Sequence, residues 1–160
     1  MSDDPEQEYF SDGFNQADNE RVKEFFHRVV AIDARLAAAY SGLALAYRRD
    51  GDTYATSSLY EAGRRGDVWA RRAVEIDSTD ADSLAILAFS TPYANREEAY
   101  ERIGRALEAN PNSSRAHGIR GTYLIFDDQL MEARTAILTA LRLNPSDPIN
   151  ANLSPFITVS

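Results

Sequence analysis

Four short strings recur along this chain, and their spacing restricts the fold more than any feature of its composition. They are Arg28-Val29-Val30-Ala31-Ile32-Asp33, Arg72-Ala73-Val74-Glu75-Ile76-Asp77, Arg105-Ala106-Leu107-Glu108-Ala109-Asn110-Pro111 and Thr139-Ala140-Leu141-Arg142-Leu143-Asn144-Pro145. Val29, Ala73, Ala106 and Ala140 hold the same local context at separations of 44, 33 and 34 residues. Each string reads as the end of a helix followed by a turn. A helix pair of that length cannot bury its own apolar face, whereas stacked pairs share one continuous core. With 24 alanines, apolar residues at helical spacing and no clear alternating run before the C-terminus, the chain reads as all-α, an α-solenoid of about seven helices.

In each unit the next helix starts shortly after the turn. Tyr40, Leu43, Ala44 and Tyr47 fall on one face, with Gly51 expected to end the helix, and Leu84, Leu87 and Ala88 take the matching places one unit later. The spacing predicts a lone helix over 20–32 and then three pairs: 37–50 with 57–76, 81–93 with 96–109, and 114–127 with 130–143. A C-terminal cap is expected over 148–160. Asn95 with Glu98 has the form of a capping box, Asp80 can cap the helix beginning at Ala81, and Asp147-Pro148 pairs a cap with a first-turn proline. The long first spacing places its extra residues within 51–60. They read as a longer loop or an extra helical turn, with a contact surface carrying Tyr54 and Tyr60 as the functional alternative. On the leading helix Phe25, Phe26, Val29 and Val30 form an apolar face with no helix before it, so self-association through a repeat end is expected.

These residues resemble the tetratricopeptide repeat, a helix pair of about 34 residues with small and aromatic residues at fixed places and a closing proline. Pro111 and Pro145 stand at the closing position, which Ala34 and Ser78 fill in the earlier units. The resemblance implies a non-enzymatic module that binds a protein or peptide, in a regulatory or assembly role. It also implies a groove built from the first helix of each pair. The inward positions would be Ala38, Ser41, Leu45 and Arg48, then Asp82, Ala85 and Phe89, then Arg115, Gly118, Thr122 and Ile125. Chaperone-binding members of that family grip a C-terminal carboxylate with Lys and Asn; here Ser41 and Leu45 hold the corresponding sites, which argues against a chaperone co-factor role.

Charge is unevenly spread. Residues 1–20 hold seven acids and no Lys or Arg, which leaves 18 acids against 17 bases in the rest of a chain whose formal charge is −8. An acidic arm over 1–18, expected to be mobile, therefore precedes a nearly neutral solenoid over 19–160. That distribution argues against sequence-independent binding to nucleic acid or to an anionic membrane. With Arg48 and Arg115 inward, the groove is expected to take an acidic or amphipathic peptide. Residues 3–12, five acids around Tyr9 and Phe10, would compete for it.

The string Asp4-Pro5-Glu6-Gln7-Glu8-Tyr9-Phe10-Ser11-Asp12-Gly13 is similar to a segment of bacterial class III adenylate or guanylate cyclases and related regulators. Ala116-His117-Gly118-Ile119-Arg120-Gly121 and the segment from Leu141 to Pro148 look like the repeats of that family. In those proteins the string introduces a strand-rich TolB-like region; here that lead is shortened and helix follows within a few residues. The resemblance implies the sensory or oligomerising accessory region of a nucleotide cyclase system, without cyclase activity.

No motif of catalysis stands out. There is no Gly-rich phosphate loop with Lys, no His-Glu-x-x-His and no Gly-x-Ser-x-Gly, so no catalytic residue, cofactor or metal site is expected. His27 and His117 read as packing or surface residues on separate helices. Arg64, Arg65, Arg71 and Arg72 interleave with Glu61, Asp67 and Glu75 at helical spacing, the pattern of a solvated face of weak ion pairs worth about 0.2–0.5 kcal/mol each. The absence of Cys, of an apolar run of membrane-spanning length and of a basic-then-apolar start at Met1 leads to the expectation of a cytoplasmic protein.

Overall fold

A computed structural model describes residues 15–151 and 153–157. The string from Asp4 to Gly13, and with it the question of what that string occupies, lies outside the described residues. The helices are α1 (Gln16–Ile32), α2 (Ala37–Asp52), α3 (Leu59–Ile76), α4 (Ala81–Phe89), α5 (Arg96–Ala109), α6 (Ser114–Phe126), α7 (Leu130–Leu143) and the short α8 (Pro148–Ala151). Single 3₁₀ turns occupy Tyr93–Asn95 and Ser154–Ile157. The described residues thus form an all-α solenoid of stacked helix pairs.

The repeated strings end their helices in one way. The N–H groups of Asp33, Asp77, Asn110 and Asn144 donate to the carbonyls of Val29, Ala73, Ala106 and Ala140, the four residues whose spacing defines the repeat. Each side chain then accepts from the N–H two residues on, at 2.9, 3.0, 3.0 and 3.1 Å respectively. Such a side-chain-capped turn needs Asp or Asn, which is why those residues alone occupy the place. A second recurrence follows from it. Tyr40 donates its hydroxyl to Ala34 O, and His117 Nε2 donates to Pro111 O at 2.9 Å, both bonds reaching six residues back to the closing position.

Neighbouring helices run antiparallel, because Asn19 meets Asp50 while Phe26 meets Gly42. The first helices of successive pairs lie side by side and parallel: Ser41 and Ser83 place their hydroxyls 3.1 Å apart, and Tyr123 donates to Thr91 O at 2.7 Å. The largest buried cluster joins α4, α5 and α6 through Leu84, Ile103, Ile119 and five alanines. Ile103 and Ile119 are 2% and 0% exposed, each contributing about 1.5–3 kcal/mol by burial. Small residues set the helix spacing. A Cβ added at Gly51 would meet the Ala62 Cβ at 2.7 Å, and one at Gly121 would meet Ile137 Cγ1 at 2.6 Å.

Several boundaries differ from the expected ones for local reasons. α1 begins at Gln16, not Glu20, because Asn15 and Asp18 form a capping box that takes residues 16–19 into the helix. Gly51 does not end α2, which runs on to Asp52; it serves the close approach to Ala62 instead. α3 starts at Leu59, with Ser58 as its cap, so the extra residues of the first unit enter both the turn over 53–58 and the longer helix. α4 stops at Phe89 and not at 93, since Pro92 has no N–H to continue it and biases Thr91 out of helical geometry. Asn95 makes no side-chain cap bond; Glu98 turns to Arg102. Asp80 caps α4 as expected.

α1 is fastened by a buried polar hub. Asp50 accepts from Lys23 Nζ at 2.9 Å and from Asn19 Nδ2 at 3.0 Å, and its backbone carbonyl holds the N–H groups of Thr56 and Ser57. Burial pulls the Lys23 ammonium down, but Glu20 and Asp50 outweigh it and leave its pKa above the ordinary lysine value. Phe25 and Ile32 on α1, and Leu130 and Met131 on α7, remain exposed.

Candidate functional site

The residues expected to form one groove are distributed over three environments. Ala38, Ser41, Leu45, Asp82 and Arg115 border a depression of about 370 Å³ together with Val22 and Phe26 of α1. Arg48, Phe89 and Thr122 border a second, larger cleft of about 540 Å³. Ala85 is fully buried in the core, Gly118 is buried against Asn150, and Ile125 packs on the Leu124 cluster, so these three do not line either.

The two arginines assigned to the groove do not converge. Arg115 is clamped by Asp147 at 2.7 Å and Asp82 at 3.2 Å in the first depression. Arg48 lies in the second cleft, its guanidinium 3.8 Å from the centre of the Phe89 ring, paired with Asp52 at 3.0 Å and donating to Phe89 O. Ser41 is 5% exposed and spends its hydroxyl on Ser83. The residues assigned to one groove along the first helices thus border two different depressions.

The larger cleft exists because α4 is short. Where α4 stops at Phe89, the segment Ser90-Thr91-Pro92 turns away and leaves the ends of α2 and α6 and the start of α3 facing open space. Tyr60 of α3, Tyr93 of the 3₁₀ turn and Phe126 of α6 stand around it, 75%, 43% and 64% exposed. The floor is held by polar bonds: Arg102, buried on α5, donates to Thr91 Oγ1 at 2.6 Å and pairs with Glu98. Tyr123 donates to Thr91 O, and burial pushes its phenol up to about 12. Ser90 Oγ is buried close to Gly66, without a partner among the described residues.

One wall is tied across the pairs. Asp127 accepts from the hydroxyls of Tyr93 at 2.6 Å and Tyr100 at 2.7 Å, with Arg96 at 3.4 Å. Those two hydroxyls, more than Arg96, hold the Asp127 carboxyl below its ordinary range, and burial followed by the Asp127 bond raises Tyr100. The bonds fix the Tyr93 ring 5.4 Å from Phe126, edge to face.

Sequence reading named Tyr60 as a candidate contact through the long first spacing, and the structure puts it on the cleft wall. It missed Tyr93 and Phe126. The available sign was Pro92, a helix-breaking residue inside an expected helix. Among the described residues no cluster of His, Cys, Asp and Glu could hold a metal ion, and no helix is long and apolar enough to cross a membrane.

No protein-family model matches the sequence, and no curated protein does. Among solved structures the chain is similar to YrrB, described as a TPR protein with an unusual peptide-binding site. The sequences are 17% identical, with a TM-score of 0.45 over 87% of this chain and 84% of that one.

Proposed function

We propose that this chain is a non-enzymatic helical-repeat module that binds a segment of another protein, in a regulatory or assembly role in the cytoplasm. The observation that carries the reading is the aromatic wall: three exposed rings from three different elements surround one concave site of about 540 Å³. Clefts of that size accept a few side chains, and grouped exposed aromatics are the usual anchors of protein recognition. The alternative, an accessory region of a nucleotide cyclase system, rests on sequence resemblance alone and has no feature of the cleft in its favour.

Peptides selected on the purified chain from a random display library test the reading. They are expected to bind with micromolar affinity and to lose about tenfold or more on the double change Tyr60→Ser with Phe126→Ser. Both side chains are exposed, so the variant keeps its circular dichroism and melting curve. Selected peptides that bind the double variant as well as the parent would place recognition elsewhere.

A further inference from the structure

We infer that the cleft selects an acidic peptide, a segment in which an Asp or Glu side chain neighbours an apolar residue, with Arg64 as the group that reads the carboxylate. The inference rests on the cleft being the binding site. Four arginines border it, and three are matched: Arg48 with Asp52, Arg71 with Asp67, and Arg102 with Glu98. Arg64 makes no ion pair among the described residues and is exposed to solvent. The cleft thus presents one uncompensated positive charge in a chain whose formal charge is −8.

The position of that charge matters as much as its sign. Arg64 follows Tyr60 by four residues on α3, so the two project from one helix face. A carboxylate at Arg64 would put the next apolar side chain of the same segment against Tyr60 and the rings beyond it, whereas a basic segment would meet like charge. Gly63 precedes Arg64, and a Cβ built on it finds no atom within 4 Å. Packing within the chain does not require a glycine there, and its bare backbone leaves the α3 wall of the cleft open to an approaching peptide. Arg64 also lies on the second helix of its pair, away from the first-helix surface where the tetratricopeptide resemblance places recognition.

Two fluorescent peptides, acetylated and amidated so that neither has a terminal charge, distinguish the possibilities by anisotropy. One carries Glu on both sides of two Phe residues, and the other replaces every Glu with Gln. On the full chain the Glu peptide is expected to bind about tenfold tighter at low salt, with the gap narrowing as salt rises. Arg64→Glu should abolish the preference. Gly63→Leu should block both peptides, and Gly104→Leu, at another open helical glycine, should block neither. Equal binding of the two peptides, still blocked by Gly63→Leu, overturns the acidic inference and leaves the cleft as the binding site. Binding of neither, or binding that survives Gly63→Leu, overturns both.

Discussion

The two edges of this solenoid are built differently. At one edge, the turns after α1, α3, α5 and α7 repeat a single design, with Asp33, Asp77, Asn110 and Asn144 each closing its helix and accepting from the N–H two residues on. At the other edge no two turns agree. The first runs over 53–58 and is gathered on the Asp50 carbonyl, the second passes through Ser90-Thr91-Pro92 into a 3₁₀ turn, and the third is a tight turn with Asp128 at φ 59°. The uniform edge sets the stacking of the helices, and the irregular edge is where the cleft opens. A repeat can therefore keep its core spacing while two unequal turns leave a recess between neighbouring pairs.

If the irregular first turn depends on its own hub, breaking that hub should cost more than any change at the uniform edge. Asp50→Ala removes the buried partner of Lys23, leaving it only the half-exposed Glu20, and takes the acceptor from Asn19 Nδ2, so a loss of about 3 kcal/mol in urea unfolding is expected. A loss below about 1 kcal/mol would mean that α1 and the turn over 53–58 are held by something other than Asp50.

The two glycines flanking that turn should respond in opposite senses. Gly51→Ala pushes a methyl into Ala62 and the backbone of Leu59, and should destabilise by about 1–3 kcal/mol. Gly63→Ala meets open space and should stabilise by about 0.5–1 kcal/mol through helix propensity. Thermal denaturation of both variants checks the pair; matching signs would contradict the packing described for α2 and α3.

The smallest effect tests the uniform edge. The N–H of Thr79, and then its hydroxyl, hold the Asp77 carboxyl below its ordinary value. A carboxyl depressed in the folded state adds stability above its unfolded pKa, near 3.9, and that stability is lost as pH falls through the lower folded value. Asp77→Asn keeps the turn acceptor, as Asn110 and Asn144 do in their turns, and removes the titration. Its melting temperature should match the parent at pH 7 and fall less steeply below about pH 4. Parallel acid profiles would show that Asp77 does not contribute to acid sensitivity.

Sequence by itself determined the repeat. The strings around Val29, Ala73, Ala106 and Ala140 specify where helices end, because the capping carbonyl, the Asp or Asn and the following turn are all local in the chain. Helical periodicity likewise put Leu43 and Ala44, and then Leu84, Leu87 and Ala88, on one helix face, and all five are buried. The binding surface was only partly legible. Tyr60 could be suspected from the long first unit, but Arg48 and Arg115, assigned to one groove, border two different depressions. Their pairing with Asp52 and with Asp82 and Asp147 depends on side chains brought near by stacking, which no local spacing encodes. Whether Tyr93 and Phe126 face one cleft was decided the same way: Pro92 fixes where α4 stops, but which rings surround the space it leaves depends on how α3, α4 and α6 pack around it.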